Sequence, residues 1–237
     1  MKDSLTMNYK EFQKFLKKNN ETIDDAYRCI YLENKETIRI KKEKTAIKNL
    51  KRIMDAVFKI TYEKGFYAMT IRDLSTESGI SIGALYPYFR SKEDLLTILL
   101  RQGLSYVIRV LDKISQQYDD PVLKLESVIK AHLFLSEKAR LWFYLMFMES
   151  KNLNPPEWKI VLKAENQTEK VIVEILQDGE SFGVFKKQNH LLTASIIKAM
   201  QQEWYLKRWK YSKRKISVDA YAEYVLEFVK SFCLAAS

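Results

Sequence analysis

A chain of 237 residues can bury a small domain joined to a larger one, and 47% hydrophobic content with only six glycines and four prolines excludes a disordered or fibrous chain. Forty Lys and Arg against thirty Asp and Glu leave a formal charge of +10, a balance that suits a polyanionic partner. Cys29 and Cys233 form no C-x-x-C pair, no apolar run reaches the roughly 18 residues of a membrane span, and MKDSLTMNYKEF lacks a signal-peptide core, so the expectation is a cytoplasmic chain with free thiols.

Residues 1–44 read as an N-terminal extension, helical first and then basic. Phe12, Phe15 and Leu16 share one helical face, and Ile23, Tyr27, Ile30 and Tyr31 make a second that Thr22 is placed to cap. Arg39, Lys41, Lys42, Lys44, Lys48, Lys51 and Arg52 then crowd together against a single acid, Glu43. Two readings of this run stay open: a solvated helix face, or a set of phosphate contacts that release counterions condensed on DNA. Over residues 45–64, Ile47, Leu50, Met54, Val57, Phe58 and Thr61 follow helical spacing until Gly65 ends the run.

Residues 70–96 predict two short helices around a glycine turn, followed by the start of a third. Thr70 is an N-cap with Asp73 in the capping-box position, and Ile71 and Leu74 share one face. Gly79 supplies the positive φ that ends the first helix. Ile80 turns inward, and Ser81 precedes a second helix opening with Ile82, Gly83 and Ala84, small enough for the backbone to approach a groove wall. Leu85 and Phe89 face inward, Tyr86 and Tyr88 outward, and Ser91-Lys92-Glu93-Asp94 caps a long helix from Leu95. Spacing alone leaves a plain helical hairpin and a DNA-reading element equally open.

The segment MDAVFKITYEKGFYAMTIRDLSTESGISIGALYPYFRSKEDLL has Gly65, Phe66, Thr70, Gly79, Ser81, Gly83, Leu85, Tyr86, Tyr88, Phe89, Lys92 and Leu95 in a pattern that resembles the N-terminal domain of TetR-family transcriptional regulators. Ser75 stands where Ala is usual, and Pro87 marks the end of the recognition helix. The resemblance covers residues 45–100 and implies a helix-turn-helix head at 45–92. In that head Lys48, Thr70, Arg72, Ser81, Tyr86, Tyr88 and Lys92 contact phosphate or groove, and Ile82, Gly83 and Ala84 lie nearest the bases, with Ile82 against a thymine methyl.

Residues 95–118 are apolar around most of a helix and read as a connecting rod. Helices follow from Pro121 to about 138, over 140–151, from Pro155 to about 177, and, after a turn at 178–183, over about 189–211 and 217–235. The last carries an apolar stripe of Val218, Tyr221, Ala222, Val225, Val229, Phe232 and Cys233. No strand alternation appears, so the fold class is all-α: a three-helix head plus a helical effector-binding and dimerisation body at 93–237. The resemblance implies that the last two long helices pair with a second subunit, placing two recognition helices about 34–36 Å apart over a palindromic operator.

His132 and His190 lack Cys, His or Asp neighbours at ligand spacing, and no nucleophile elbow, phosphate loop or dinucleotide motif occurs, so neither metal, cofactor nor catalysis is expected. Residues 142–148 are hydrophobic all round. They serve either as ordinary core or as an effector cavity lined by Trp142, Phe143, Met146, Phe147 and Met148, with Glu149 at its polar end. ILQDGESFGVF and MQQEWYLKRWKYSKRKIS resemble the acyl-CoA-responsive branch of the family; the likeness implies that Trp204, Arg208 and Trp209, among lysines, meet a CoA headgroup, the alternative being solvated cations at a helix C-terminus. The expected function is a ligand-responsive regulator, a repressor, that binds operator DNA as a homodimer and is released by an apolar effector such as an acyl-CoA, with no membrane partner. A regulator of drug efflux answering to lipophilic cationic or aromatic compounds, a non-specific DNA-binding protein and a small-molecule carrier are the alternatives.

Overall fold

The computed structural model describes residues 7–235. Among these the chain forms twelve α-helices: α1 (Tyr9–Lys18), α2 (Ile23–Glu33), α3 (Glu43–Lys64), α4 (Ile71–Ser78), α5 (Ile82–Leu85), α6 (Lys92–Ser115), α7 (Pro121–Lys138), α8 (Arg140–Glu149), α9 (Pro155–Ser181), α10 (His190–Leu206), α11 (Arg208–Lys213) and α12 (Val218–Cys233). Among the described residues the only strand-like feature is one antiparallel bridge between Phe185 and Leu234, so the fold is all-α. No helix of the described residues is long and apolar enough to cross a membrane. Of the segment read for a signal peptide, residues 1–6 lie outside the described residues.

Two compact units do not follow chain order. A head unit takes residues 19–106 and 141–161; a body unit takes the described residues up to Lys18, Val107–Arg140 and the described residues from Leu162 on. The N-terminal extension is divided by this partition, with α1 in the body unit and α2 in the head unit.

In the head unit, Thr22 and Asp25 close a capping box that starts α2, whose Tyr27, Ile30 and Tyr31 are buried. Packed against α2 and α4, α3 buries Leu50, Ile53, Met54, Val57 and Ile60 along one face. It ends at Gly65, with φ at +87°. The α8 residue Trp142 lies flat against the bare Cα of Gly103, where an added Cβ would sit 2.2 Å from the ring, and its indole N–H donates to the Leu99 carbonyl at 3.2 Å.

In the body unit α7 is the central helix. Asp120 caps it and Pro121 occupies its first turn. It is buried on nearly every side, packing on α1, α10 and α12. Phe12 of α1 meets Phe134 of α7 at 5.6 Å between ring centres, and the Tyr9 N–H donates to Asp219 at 2.7 Å. The two charges that α7 buries are paired, Lys130 with Glu223 at 2.6 Å and Glu126 with Lys230 at 2.9 Å, as burial demands. Two expectations need correction. The helix opened by Pro155 runs on to Ser181, through the segment read as a turn, and the chain reverses only at Gly183, with φ at +71°. The helix expected over 189–211 breaks at Lys207 into α10 and α11.

Candidate nucleic-acid interface

The reading element is built on local chemistry. The Thr70 hydroxyl accepts the Asp73 N–H at 3.1 Å, while the Thr70 N–H and hydroxyl donate to the Asp73 carboxylate at 2.8 and 2.7 Å. Lys64 completes the site at 2.7 Å, and its hydrogen bond, followed by those of Thr70, holds the Asp73 carboxyl far below its ordinary value. At Gly79 the backbone enters the left-handed region with φ at +62°, and α5 begins three residues later. The Ser81 side chain makes no cap bond there. Ile82, Gly83 and Ala84 are exposed on α5 while Leu85 is buried beneath them, so one turn of helix turns its small side chains to solvent and is anchored from below. Thr70, Arg72, Tyr86 and Lys48 are exposed as well.

Two expected contacts are placed differently. Tyr88 is only 1% exposed, and its hydroxyl accepts from Asn49 at 2.9 Å; it is core of the head, not part of its outer surface. Lys92 donates to the carbonyls of Tyr67 at 2.7 Å and Met69 at 3.3 Å and stands over the Phe66 and Tyr67 rings. Its ammonium ties down the α3–α4 loop. Three supports went unnoticed in the sequence: Asn49, Arg52, which donates to the Gly79 carbonyl at 3.0 Å, and the backbone N–H of Arg39, which donates to Pro87 at 2.9 Å. No short motif marks them, because each acts across a long gap in sequence.

This geometry has counterparts. A model of bacterial regulatory proteins of the tetR family matches residues 53–97, and one of the tetracyclin repressor-like C-terminal domain matches residues 118–229, together more than half of the chain. The chain belongs to the TetR family of transcriptional regulators. HbdR, an HTH-type transcriptional regulator of Aromatoleum sp. (strain CIB), is 24% identical over 183 residues, covering 77% of this chain and 80% of that protein. KstR2, an HTH-type transcriptional repressor of Mycolicibacterium smegmatis, is 29% identical over 125 residues, covering 52% of this chain and 61% of that one. In fold, the chain is similar to the transcriptional regulator FadR from Bacillus subtilis, solved in complex with stearoyl-CoA, at a TM-score of 0.62 and 21% identity over 75% of this chain and 96% of that one.

On the effector side of this TetR-family chain, the expected residues fall in different units: Trp142, Phe143, Met146, Phe147 and Glu149 in the head unit, Trp204, Arg208 and Trp209 in the body unit. Trp142, Phe143 and Met146 are buried, whereas Phe147 and Met148 are exposed. Glu149 is not a free polar end. Its carboxylate accepts the Phe66 N–H at 2.9 Å and the Asn152 amide at 3.3 Å. Nor do the paired tryptophans share a surface, for Trp204 is fully buried and Trp209 is 68% exposed. Arg208 is held by Glu137 through Nε at 2.9 Å and Nη2 at 3.2 Å, lies over the Trp204 ring and shares Glu137 with the indole N–H. Glu203 takes both Lys207 and Lys210. The cations expected to meet a CoA headgroup are therefore largely spent on the fold, and Lys213, Arg214 and Lys215 are the exposed ones that follow.

Proposed function

We propose that this chain is a cytoplasmic repressor that grips a palindromic operator as a homodimer and releases it when an apolar effector, an acyl-CoA, binds. The DNA half of the reading is carried by α5, an exposed turn of small side chains anchored by the buried Leu85, which follows an α4 capped by the Thr70–Asp73 box. The dimer half is supported by Tyr224, Phe228 and Phe232 along α12 and Leu192 and Ile196 along α10, apolar side chains that a single subunit leaves more than half exposed and a second copy would cover.

The effector half is supported by what relatives are named for: a fatty acid metabolism regulator protein in Bacillus subtilis, and FadR with its stearoyl-CoA. Within the chain it rests on the buried Trp142, Phe143 and Met146 of the head unit, an apolar lining of the kind an acyl chain takes. Effector and operator affinities are then reciprocally coupled. A mobility shift on DNA from upstream of the gene, titrated with acyl-CoAs of graded chain length, tests it. The expectation is release with a coupling of about 5–150-fold at one preferred length. Release by lipophilic cations or aromatic compounds instead points to efflux control; a shift without sequence preference, or affinity for an apolar molecule and none for DNA, contradicts the repressor.

A further inference from the structure

We infer that residues 39–48 form a second DNA-contacting element, a fixed cationic arm beside the reading turn that grips phosphates flanking the half-site. The inference rests on the DNA-reading role proposed for α5. Between Arg39 and Arg52 the chain carries seven cations and one acid. That acid, Glu43, is taken by Arg28 at 2.9 Å; Lys51 pairs with Asp24 at 3.1 Å, and Arg52 is bound to the Gly79 carbonyl. Arg39, Lys41, Lys42, Lys44 and Lys48 are left exposed, with no ion pair among the described residues.

These cations do not ride on a loose tail. Ile38 is buried, the Tyr31 hydroxyl is 3.1 and 3.3 Å from the carbonyls of Ile40 and Lys41, and the Arg39 N–H is bound to Pro87. From there into α3 the segment touches the reading turn repeatedly: at its exit through Arg39 to Pro87 and Asn49 to Tyr88, and at its entrance through Arg52 to Gly79. Lys48 and Lys44 lie on the same helical face as Arg52, one and two turns before it. Five like charges on a segment bound to both ends of the reading turn, with the one carboxylate among them taken by Arg28, raise the local potential at a free-energy cost to the isolated chain. A polyanion offsets that cost, and phosphate contact of this kind adds affinity without base preference.

The test uses the full-length chain and an operator selected from random-sequence duplexes, presented once with long flanks and once trimmed to the palindrome. For Arg39→Ala/Lys41→Ala/Lys42→Ala, the slope of log affinity against log salt should be shallower by about 0.9 for each phosphate no longer neutralised. The triple variant should also lose the native preference for the flanked duplex and keep the native base preference. Arg39→Lys/Lys41→Arg/Lys42→Arg should restore the slope, and Lys159→Ala/Lys163→Ala/Lys187→Ala, which removes the same charge elsewhere, should leave it unchanged. An unchanged slope in the arm variant, with the native chain binding its operator, overturns the arm alone. Failure of the native chain to bind any duplex overturns the reading role of α5 and the arm with it.

Discussion

A Cβ placed on Gly83 would meet no atom within 4 Å, and the residue is not among the glycines with positive φ, so nothing inside the chain requires glycine there. A groove wall does. Gly83→Ala should therefore stabilise the fold by about 0.5–1 kcal/mol in denaturant melts while weakening operator binding in a mobility shift; parallel changes in both would make Gly83 a structural residue. Asp73 supplies a pH signature. Its carboxyl is held below the ordinary 3.8 by Lys64 and Thr70, so the stability it contributes is complete above about pH 4 and is lost as the pH falls through that value and below. Asp73→Asn should flatten the fall in melting temperature on acidification below about pH 4; an unchanged acid limb would deny the box that role. Thr70, Asp73 and Gly79 were legible in the sequence because each acts on neighbours a few residues away. Tyr88 was not, since the amide that meets its hydroxyl stands 39 positions earlier.

Along α12 there are two apolar stripes. Val218, Ala222, Val225, Val229 and Cys233 are buried, while Tyr224, Phe228 and Phe232 face outward at successive i+4 positions. The inner stripe was legible in the sequence, but Phe232 was misplaced on it and Tyr224 and Phe228 passed unnoticed, because a helix apolar on more than one side gives no sharp period. If the outer stripe is the subunit contact, Phe228→Asp should turn the dimer into a monomer in sedimentation. Operator affinity should then fall by at least about 10²-fold as two linked half-site contacts become one. A variant that stays dimeric would move the interface elsewhere. Helix ends divided in the same way. Pro121, Gly65 and Gly79 punctuate as local rules say, but Gly179 does not end α9: an added Cβ there would sit 2.1 Å from the Phe185 ring, so this glycine makes room for a ring instead of a turn. The break at Lys207 carries no Gly or Pro. Around it, Trp204 and Arg208 share Glu137, 67 and 71 positions away in sequence, a pairing that only tertiary structure reveals.

For the molecule as a whole, an all-α family fold and an excess of ten positive charges fit a regulator whose partner is a polyanion, and the charge serves association more than folding. The head was legible because its turn chemistry is local and its pattern dense. The effector side was not, because Arg208, Lys207 and Lys210, which read as free cations, are committed to Glu137 and Glu203. On the proposed reading, two-fold symmetry joins the parts: one exposed reading turn per subunit and one outward apolar stripe to pair them. Selection of bound duplexes from random-sequence DNA by the native chain tests this most directly. The account predicts enrichment of an inverted repeat whose half-site centres lie about 10–10.5 base pairs, or a multiple of that, apart. Recovery of a lone half-site bound by a monomer, or no enrichment over the starting pool, would contradict it.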